Sequence, residues 1–394
     1  MKKIAYFILI LLLSFQSLGL TVTYRAIDKS SSKAAELKPI SKKTSIESEL
    51  NTEDSYCLAE VIKIIGDRSE DLPGGNKQRT QDLVLRILTG KDKGKERAAS
   101  NEIPDNPAFS IIGVIGKIYL VNKTENLETG NEDYFLIDYH RENVIWILGI
   151  AFLLLLLIIG GMKGFRTIIS LVCTISIVAF ILIPSIEKGI NPLLGAVIAS
   201  CLATALTMLL VAGVNIKSLA STLGTVIGVT VSGLIATIVI DKAPLSGLAT
   251  SESMILWGNQ FYTINFKGLL AAGMIVSCLG AVMDVAISIS SAILEIKVAN
   301  PNYSVKELYN SGMNVGKDIM GTMTSTLVLA YTGMALPLLL LISHDNNPVK
   351  YLNLELVVSE ITATMAGTIG LIISVPATAI IMSILISKKK LKPL

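Results

Sequence analysis

From residue 143 onward, long apolar stretches alternate with short polar loops. A helix of about 20 residues crosses the hydrocarbon core of a bilayer, and each of these stretches reaches roughly that length. The last one is longer than a single crossing needs, so we expect it to tilt or to break near Pro376. The predicted spans are residues 144–162, 167–184, 192–214, 218–240, 268–295, 319–342 and 354–386. They predict a seven-helix membrane domain over residues 143–387 and a basic cytoplasmic tail, 388–394.

The start of the chain has the pattern of a targeting segment. Two lysines precede an apolar stretch at residues 4–20, which is typical of a cleaved signal peptide or an uncleaved signal anchor. Its length just suffices for an anchor, which would raise the helix count to eight with both termini cytoplasmic. Residues 21–50 are rich in Ser, Lys and Glu without periodicity and predict a flexible linker.

Residues 51–142 have a different pattern, with short β-rich stretches separated by turn-forming residues. The stretches are residues 56–65, 81–88, 111–121 and 134–139. They predict a small exported all-β domain, a barrel or sandwich that we expect to be OB-like. It contains no recognisable catalytic constellation, and a structural or partner-binding role is the simpler interpretation.

Composition and charge place the protein in a membrane. Hydrophobic residues make up 51% of its 394 residues and charged residues 16%, while the net charge of +3 predicts no nucleic-acid partner. Lysine and arginine concentrate in the loops that the eight-helix topology places in the cytoplasm, as the positive-inside rule requires. We therefore expect a multi-pass membrane protein with residues 21–142 extracytoplasmic. Only Cys57 lies in the polar region and the chain has two histidines, so we predict no disulfide framework, metal site or cofactor.

An ionisable side chain interrupts the apolar stretch 268–295. Asp284 shares one helical face with small and polar residues, namely Ser277, Gly280, Ser288, Ser291 and Glu295. A carboxylate at this depth costs several kcal/mol unless it is paired, protonated or hydrated, about 3 kcal/mol on insertion scales. The functional interpretation is therefore favoured over the alternative, an aspartate that links two helices through Ser or Thr hydroxyls.

The next two predicted spans carry similar stripes. Asp318, Thr322 and Ser325 share a face of the first, and Glu360 lies near the outer end of the second. If the stripes converge, Glu360, Asp284, Asp318 and Glu295 would step from the outer to the inner leaflet. Buried carboxylates exchange protons near neutral pH, so this arrangement predicts a proton or cation pathway. The alternative is that all but Asp284 are hydrated at the interfaces.

Two local motifs predict how helices pack and begin. Gly224 and Gly228, followed by Gly233, are spaced for close helix pairing in lipid. Residues 297–317 predict a short amphipathic helix on the cytoplasmic surface, with Ser304 and Glu307 as its capping box.

Two longer motifs resemble those of a known family. The first is Gly-Ala-Val-Met-Asp at residues 280–284, followed by Ser-Ile-Ser-Ser-Ala at residues 288–292. The second is Val-Gly-Lys-Asp-Ile-Met-Gly-Thr-Met-Thr-Ser-Thr-Leu-Val-Leu-Ala-Tyr-Thr-Gly at residues 315–333. They look like the YibE/F family of bacterial multi-pass membrane proteins, and the resemblance extends over residues 50–386. The resemblance implies a fold and a location in a bacterial cell membrane, but it implies no activity.

A weaker likeness is to the membrane halves of SecD/SecF-type, RND-like proteins, through Asp284 and the hydroxyl-rich residues 322–326. That likeness implies proton-driven work, although the pattern has five helices after the exported domain and this chain has seven. We expect a transporter or permease-like protein for an unknown small solute or ion, and no enzyme. The alternative is an accessory or assembly factor of the cell envelope, with an envelope protein or a second copy as its partner.

Overall fold

The fold is described from a computed structural model, which describes residues 52–71, 77–106, 109–126, 132–258, 264–344 and 348–388. The predicted signal segment and linker lie outside these residues, as does the tail beyond Lys388. The chain divides into two compact units between Trp146 and Ile147.

The first unit is a five-stranded antiparallel sheet in the order β3-β2-β1-β4-β5. Its strands are β1 Thr52–Asp71, β2 Lys77–Ile87, β3 Glu96–Ile103, β4 Ile118–Asn126 and β5 Glu132–Tyr139. Two register shifts, after Val61 and after Ile64, mark irregularities in β1 that favour curvature. The two edge strands approach one another, and the guanidinium of Arg97 on β3 lies 3.0 Å from the carboxylate of Glu132 on β5. The result is a half-barrel, in agreement with the predicted small all-β domain.

Alternating side chains of the strands fill the concave side of this sheet. The buried set consists of Ala59, Val61, Leu83, Leu85, Ile87, Ala99, Tyr119, Val121, Tyr134 and Leu136. Because side chains along a strand alternate between faces, the intervening positions point to solvent.

The predicted strand at residues 111–121 is wrong in its first half, since β4 begins only at Ile118. Gly113 packs against Leu83, and Gly116 has φ +81°, a conformation that suits glycine and interrupts an extended strand. The third strand was not predicted, because its inward positions include Asn101, a polar residue that is buried through hydrogen bonds to Gln81 and to the carbonyl of Ile111.

The second unit is helical. Its elements are α1 Glu142–Ile177, a π-helical turn Val178–Leu182, α2 Ile183–Glu187, α3 Pro192–Ala212, α4 Ile216–Lys242, α5 Ser251–Gly258, α6 Phe266–Ala299, α7 Val305–Met334, α8 Leu336–Ser343, α9 Pro348–Leu352 and α10 Glu355–Ser387. Among the described residues, five helices are long and apolar enough to cross a membrane, and six if the bent pair α7 and α8 is one span. The five are Glu142–Glu187, Pro192–Ala212, Ile216–Lys242, Phe266–Ala299 and Glu355–Ser387.

The first of these, Glu142–Glu187, is 46 residues long and contains both predicted spans 144–162 and 167–184. It breaks at Gly161, whose φ of 52° and ψ of −129° are not helical. A Cβ on Gly164 would collide with the carbonyl oxygen of Leu156, eight residues earlier. In a straight helix these residues would be separated by about 12 Å along the axis. The chain therefore reverses direction at Gly161.

Helix α10 lies at the centre of the bundle, in contact with α4, α6 and α7. Its closest neighbour is α4: a Cβ on Gly228 would lie 2.7 Å from the carbonyl oxygen of Gly370, and one on Gly370 would lie 2.6 Å from that of Gly228. The glycines of α4 thus serve close helix pairing, as their spacing predicts. α10 continues through Pro376 without a break.

The predicted surface helix at residues 297–317 is wrong in its extent. Ser304 and Glu307 do form the capping box, but the helix continues from Val305 to Met334. Its first part is not a surface helix, because Gly312 packs against Ile293 of α6 and Leu308 is fully buried. The predicted span 319–342 is instead bent by 67° where α7 meets α8, which has Pro337 in its first turn.

Candidate functional site

Helix α6 has one face in the core of the bundle and one outside it. The core face is apolar and includes Cys278, Val282, Val285, Ile289 and Ile293, all fully buried. The opposite face carries the predicted stripe: Gly280, Asp284 and Glu295 are exposed, while Ser288 and Ser291 are half-buried. The structure therefore places the stripe on the outside of the bundle and not between its central helices.

Helix α7 continues this polar face. Asp318, Thr322 and Ser325 are all exposed. The hydroxyls of Thr322 and Ser325 donate to the carbonyls of Ile319 and Gly321 at 2.9 and 3.1 Å, within their own helix. Because their protons are used locally, their oxygen lone pairs remain free to accept from a ligand or water.

The third helix, α10, contributes Glu360, which is half-buried. Glu360 lies close enough to Tyr331 of α7 to influence it electrostatically, and the Tyr331 hydroxyl forms a short hydrogen bond with Ser277 of α6. This outer cluster joins three helices. Sequence reasoning did not propose Tyr331 as a site residue, although Tyr331 lies within the motif at residues 315–333.

The helix register fixes the height of each carboxylate. Gly316 of α7 faces Ile289 of α6, and Gly367 of α10 faces Cys278. Counting from these contacts gives the order Glu360, Asp284, Asp318, Glu295 along the bundle. At 1.5 Å per residue the three steps are roughly 20, 5 and 12 Å. Asp284 and Asp318 thus lie at nearly the same height on neighbouring helices, while Glu360 belongs to a separate cluster.

None of these four carboxylates forms an ion pair or side-chain hydrogen bond within the described part of the chain. The space beside them is open, because a Cβ on Gly280 or Gly321 would meet nothing within 4 Å. In a bilayer an unpaired carboxylate cannot face lipid as an ion without a cost of about 3 kcal/mol. The α6/α7 face, which we define as Gly280, Asp284, Ser288, Asp318, Gly321, Thr322 and Ser325, therefore requires a proton, water, a solute or a polar partner.

The half-barrel has an ionic network that sequence reasoning also missed. The Lys123 ammonium lies 2.7 Å from Glu132 and 3.1 Å from Asp92, and Asp92 also pairs with Lys95 at 2.7 Å. Hydrogen bonds from Lys95 and Lys123 lower the pKa of Asp92, and the hydrogen bond from Lys123 lowers that of Glu132. Burial, with a hydrogen bond to Glu132, raises the pKa of Tyr134 to about 12. Every carboxylate here is satisfied, so the network fixes the edge strands and offers no free reactive group.

A comparison with known families gives one match. The model of the YibE/F-like protein family matches residues 148–388, more than half of the chain. The chain belongs to the YibE/F-like family.

The YibE/F-like region contains the whole α6/α7 face and the Ser277–Tyr331–Glu360 cluster, so every predicted site residue falls within it. It excludes the half-barrel, to which the sequence resemblance had been extended. No curated protein and no solved structure matches the chain. Family membership and the apolar helices together indicate a membrane protein, while the function has to be argued from the site.

Proposed function

We propose that this YibE/F-like protein is a permease-like transporter whose cycle is coupled to protonation of Asp284. The observation that carries the proposal is the position of this carboxylate. Asp284 lies mid-way along an apolar helix of membrane-spanning length, is exposed on the bundle surface and has no ion-pair partner among the residues that the structure describes. A structural aspartate in a membrane helix would be expected to bond a neighbouring helix. Asp284 does not, and it is therefore available to bind and release a proton.

In this proposal Asp284 and Asp318 form the proton-binding pair, since they lie at nearly the same height. Ser288, Ser291, Thr322 and Ser325 supply oxygen atoms along the α6/α7 face for water or for an unidentified small solute or ion. Glu360 would admit protons from one side and Glu295 would release them on the other. No enzymatic step and no cofactor is assigned.

The proposed setting is a bacterial cell membrane, with eight helices and residues 21–142 extracytoplasmic. Two observations support the count: the chain reversal at Gly161 divides Glu142–Glu187 into two arms, and α7 with α8 supplies one bent span. The apolar residues 4–20 would add the eighth.

A pH jump tests the proposal without a known substrate. Proteoliposomes on a solid-supported membrane should give a transient current when external pH changes, because protons bind within the membrane. Asp284→Asn should abolish this current, whereas Asp241→Asn, an exposed carboxylate at the end of α4, should keep it. A wild-type current in Asp284→Asn would contradict proton coupling at this site.

The alternative is an envelope accessory factor that binds partners through the half-barrel. It is favoured by the ion pair of Arg97 on β3 with Glu132 on β5, which connects the two edge strands of that unit. This alternative expects that removing residues 51–140 abolishes function in cells, while Asp284→Asn leaves function intact whenever the protein remains folded.

A further inference from the structure

One loop of the half-barrel displays apolar side chains to solvent. Between β3 and β4, Phe109 is 70% exposed, Ile112 39%, Val114 42% and Ile115 59%. We name residues 109–117 the apolar loop. Isolated exposed apolar residues are ordinary, but several in one short segment indicate an interaction surface.

The backbone of the apolar loop is held in place by side chains from the strands. Gln81, Asn101 and Tyr119 are almost fully buried, and each bonds the loop backbone. The amide of Gly113 donates to Gln81 Oε1 at 2.9 Å, Asn101 Nδ2 donates to the carbonyl of Ile111 at 2.7 Å, and the Tyr119 hydroxyl donates to the carbonyl of Ile112 at 2.8 Å. Three buried polar groups thus fix the loop in a form that keeps its apolar side chains outside.

The loop is also attached to the chain segment that leads into the first apolar helix. The amide of Ile112 donates to the Tyr139 hydroxyl at 3.2 Å, and Tyr139 is the last residue of β5. Helix α1 begins three residues later, at Glu142. Since a chain extends by at most about 3.5 Å per residue, the loop lies within roughly 20 Å of the first turn of α1.

Exposed basic groups flank the loop. Lys117 ends it. Arg141 forms an ion pair with Asp138 at 2.7 Å and lies over the ring of Tyr139, with its guanidinium carbon 5.4 Å from the ring centroid. Apolar side chains bordered by Lys and Arg are the composition of segments that lie in the headgroup region of a bilayer. Anionic headgroups attract such basic residues.

We propose that the apolar loop inserts into the headgroup region of the bilayer, with Phe109 and Ile115 as its anchors. The half-barrel would then be held against the membrane by lipid as well as by its chain connection. This inference requires that α1 enters the bilayer, but it is independent of transport.

Tryptophan fluorescence in lipid nanodiscs tests this proposal on the full chain. In a background carrying Trp146→Phe and Trp257→Phe, Phe109→Trp reports from the loop. Tyr56→Trp, an equally exposed aromatic position on β1, is the matched control. Nanodiscs with acyl chains brominated near the headgroup should quench Phe109→Trp severalfold more than Tyr56→Trp, and aqueous acrylamide should quench it less.

Size-exclusion chromatography and circular dichroism identify variants that do not fold, and Ile115→Trp replaces Phe109→Trp if needed. In anionic nanodiscs Lys117→Gln should weaken the bromine quenching. Equal bromine quenching at the loop and control positions would overturn the proposal. Protection from acrylamide without bromine quenching would also overturn it, because it would show that protein and not lipid covers the loop.

Discussion

The carboxylates of the half-barrel are ion-paired, whereas those on the surface of the helical unit are not. In the half-barrel, Asp92 and Glu132 share Lys123, and each has further partners within 3.6 Å. On the α6/α7 face, Asp284 and Asp318 have no such partner in the described part of the chain, although they lie on helices of membrane-spanning composition. The carboxylates are thus paired in the half-barrel, where water alone could solvate them. They are unpaired on the α6/α7 face, where contact with lipid would make an isolated charge costly.

The two sets of carboxylates therefore suggest different roles, one structural and one functional. The half-barrel network is what a fold uses to join two edge strands that do not hydrogen-bond to each other. An unpaired carboxylate in a membrane helix contributes nothing comparable to stability, and the proposed function gives it a role that requires a free carboxyl group. The comparison predicts opposite effects when each kind of charge is removed.

The largest expected effect is at Asp284. On insertion scales, replacing aspartate by leucine at a helix centre makes the free energy of membrane insertion more favourable by about 3 kcal/mol. Asp284→Leu should therefore raise the midpoint of thermal unfolding in detergent while abolishing the pH-jump current. A lowered midpoint would show instead that Asp284 links helices.

The opposite result is expected at Lys123. Lys123→Met removes the cation that Asp92 and Glu132 share and leaves them with Lys95 and Arg97 as partners. Breaking a buried pair outright costs about 3 kcal/mol, and the loss here should be smaller because both carboxylates stay paired and solvent reaches them. Hydrogen exchange of the β4 amides in the full chain should accelerate. Unchanged exchange would mean that the network is not what joins the edge strands.

The stability of the half-barrel should depend on pH, in a direction that follows from the pKa shifts of its carboxyl groups. The pKa values of Asp92 and Glu132 are lowered, so their stabilisation is present above their ordinary values and is lost as pH falls through the folded values. Protection of β4 should therefore be constant near neutral pH and fall in acid below about pH 4, the range of free carboxyl groups. Lys123→Met should weaken this acid dependence without abolishing it, because the hydrogen bond from Lys95 to Asp92 remains.

The smallest effects are expected at two glycines, one packed against a neighbouring helix and one with open space beside it. Gly228→Ala would place a methyl group 2.7 Å from the Gly370 carbonyl, and such overpacking costs about 1–3 kcal/mol. Gly280→Ala meets open space and should be neutral or slightly stabilising, by up to about 1 kcal/mol of helix propensity. Thermal unfolding of both variants in detergent measures this contrast, and a large loss in Gly280→Ala would show that a neighbour already covers the α6/α7 face.

Much of the helical architecture could be predicted from the pattern of apolar and small residues in the sequence. Periodicity identified the helices, and the spacing of Gly224 and Gly228 predicted a close contact, since only small residues allow backbones to approach. The capping box at Ser304 and Glu307 marked where α7 begins, but not that it would run on into the membrane. That continuation depends on Gly312 and Gly316 packing against α6, a tertiary contact that local sequence does not specify.

Less of the candidate site could be predicted from the sequence. The stripe containing Asp284 was predicted on one face of its helix, but the face alone does not say whether it points into the bundle or out of it. Tyr331 and the Lys123 network were missed because each joins residues far apart in sequence. The half-barrel strand β3 was missed because its buried Asn101 breaks the apolar alternation that identifies strands.

The most direct test of the unpaired-carboxylate account is whether water reaches position 284 in the membrane. Asp284→Cys and Ile373→Cys are matched, because each lies six residues beyond one of the facing pair Cys278 and Gly367, and both positions are exposed on the bundle surface. In proteoliposomes, with the native cysteines replaced, a membrane-impermeant thiol reagent should modify Asp284→Cys and leave Ile373→Cys unmodified. If both cysteines stay unmodified, the α6/α7 face is dry, and Asp284 cannot exchange protons with either side.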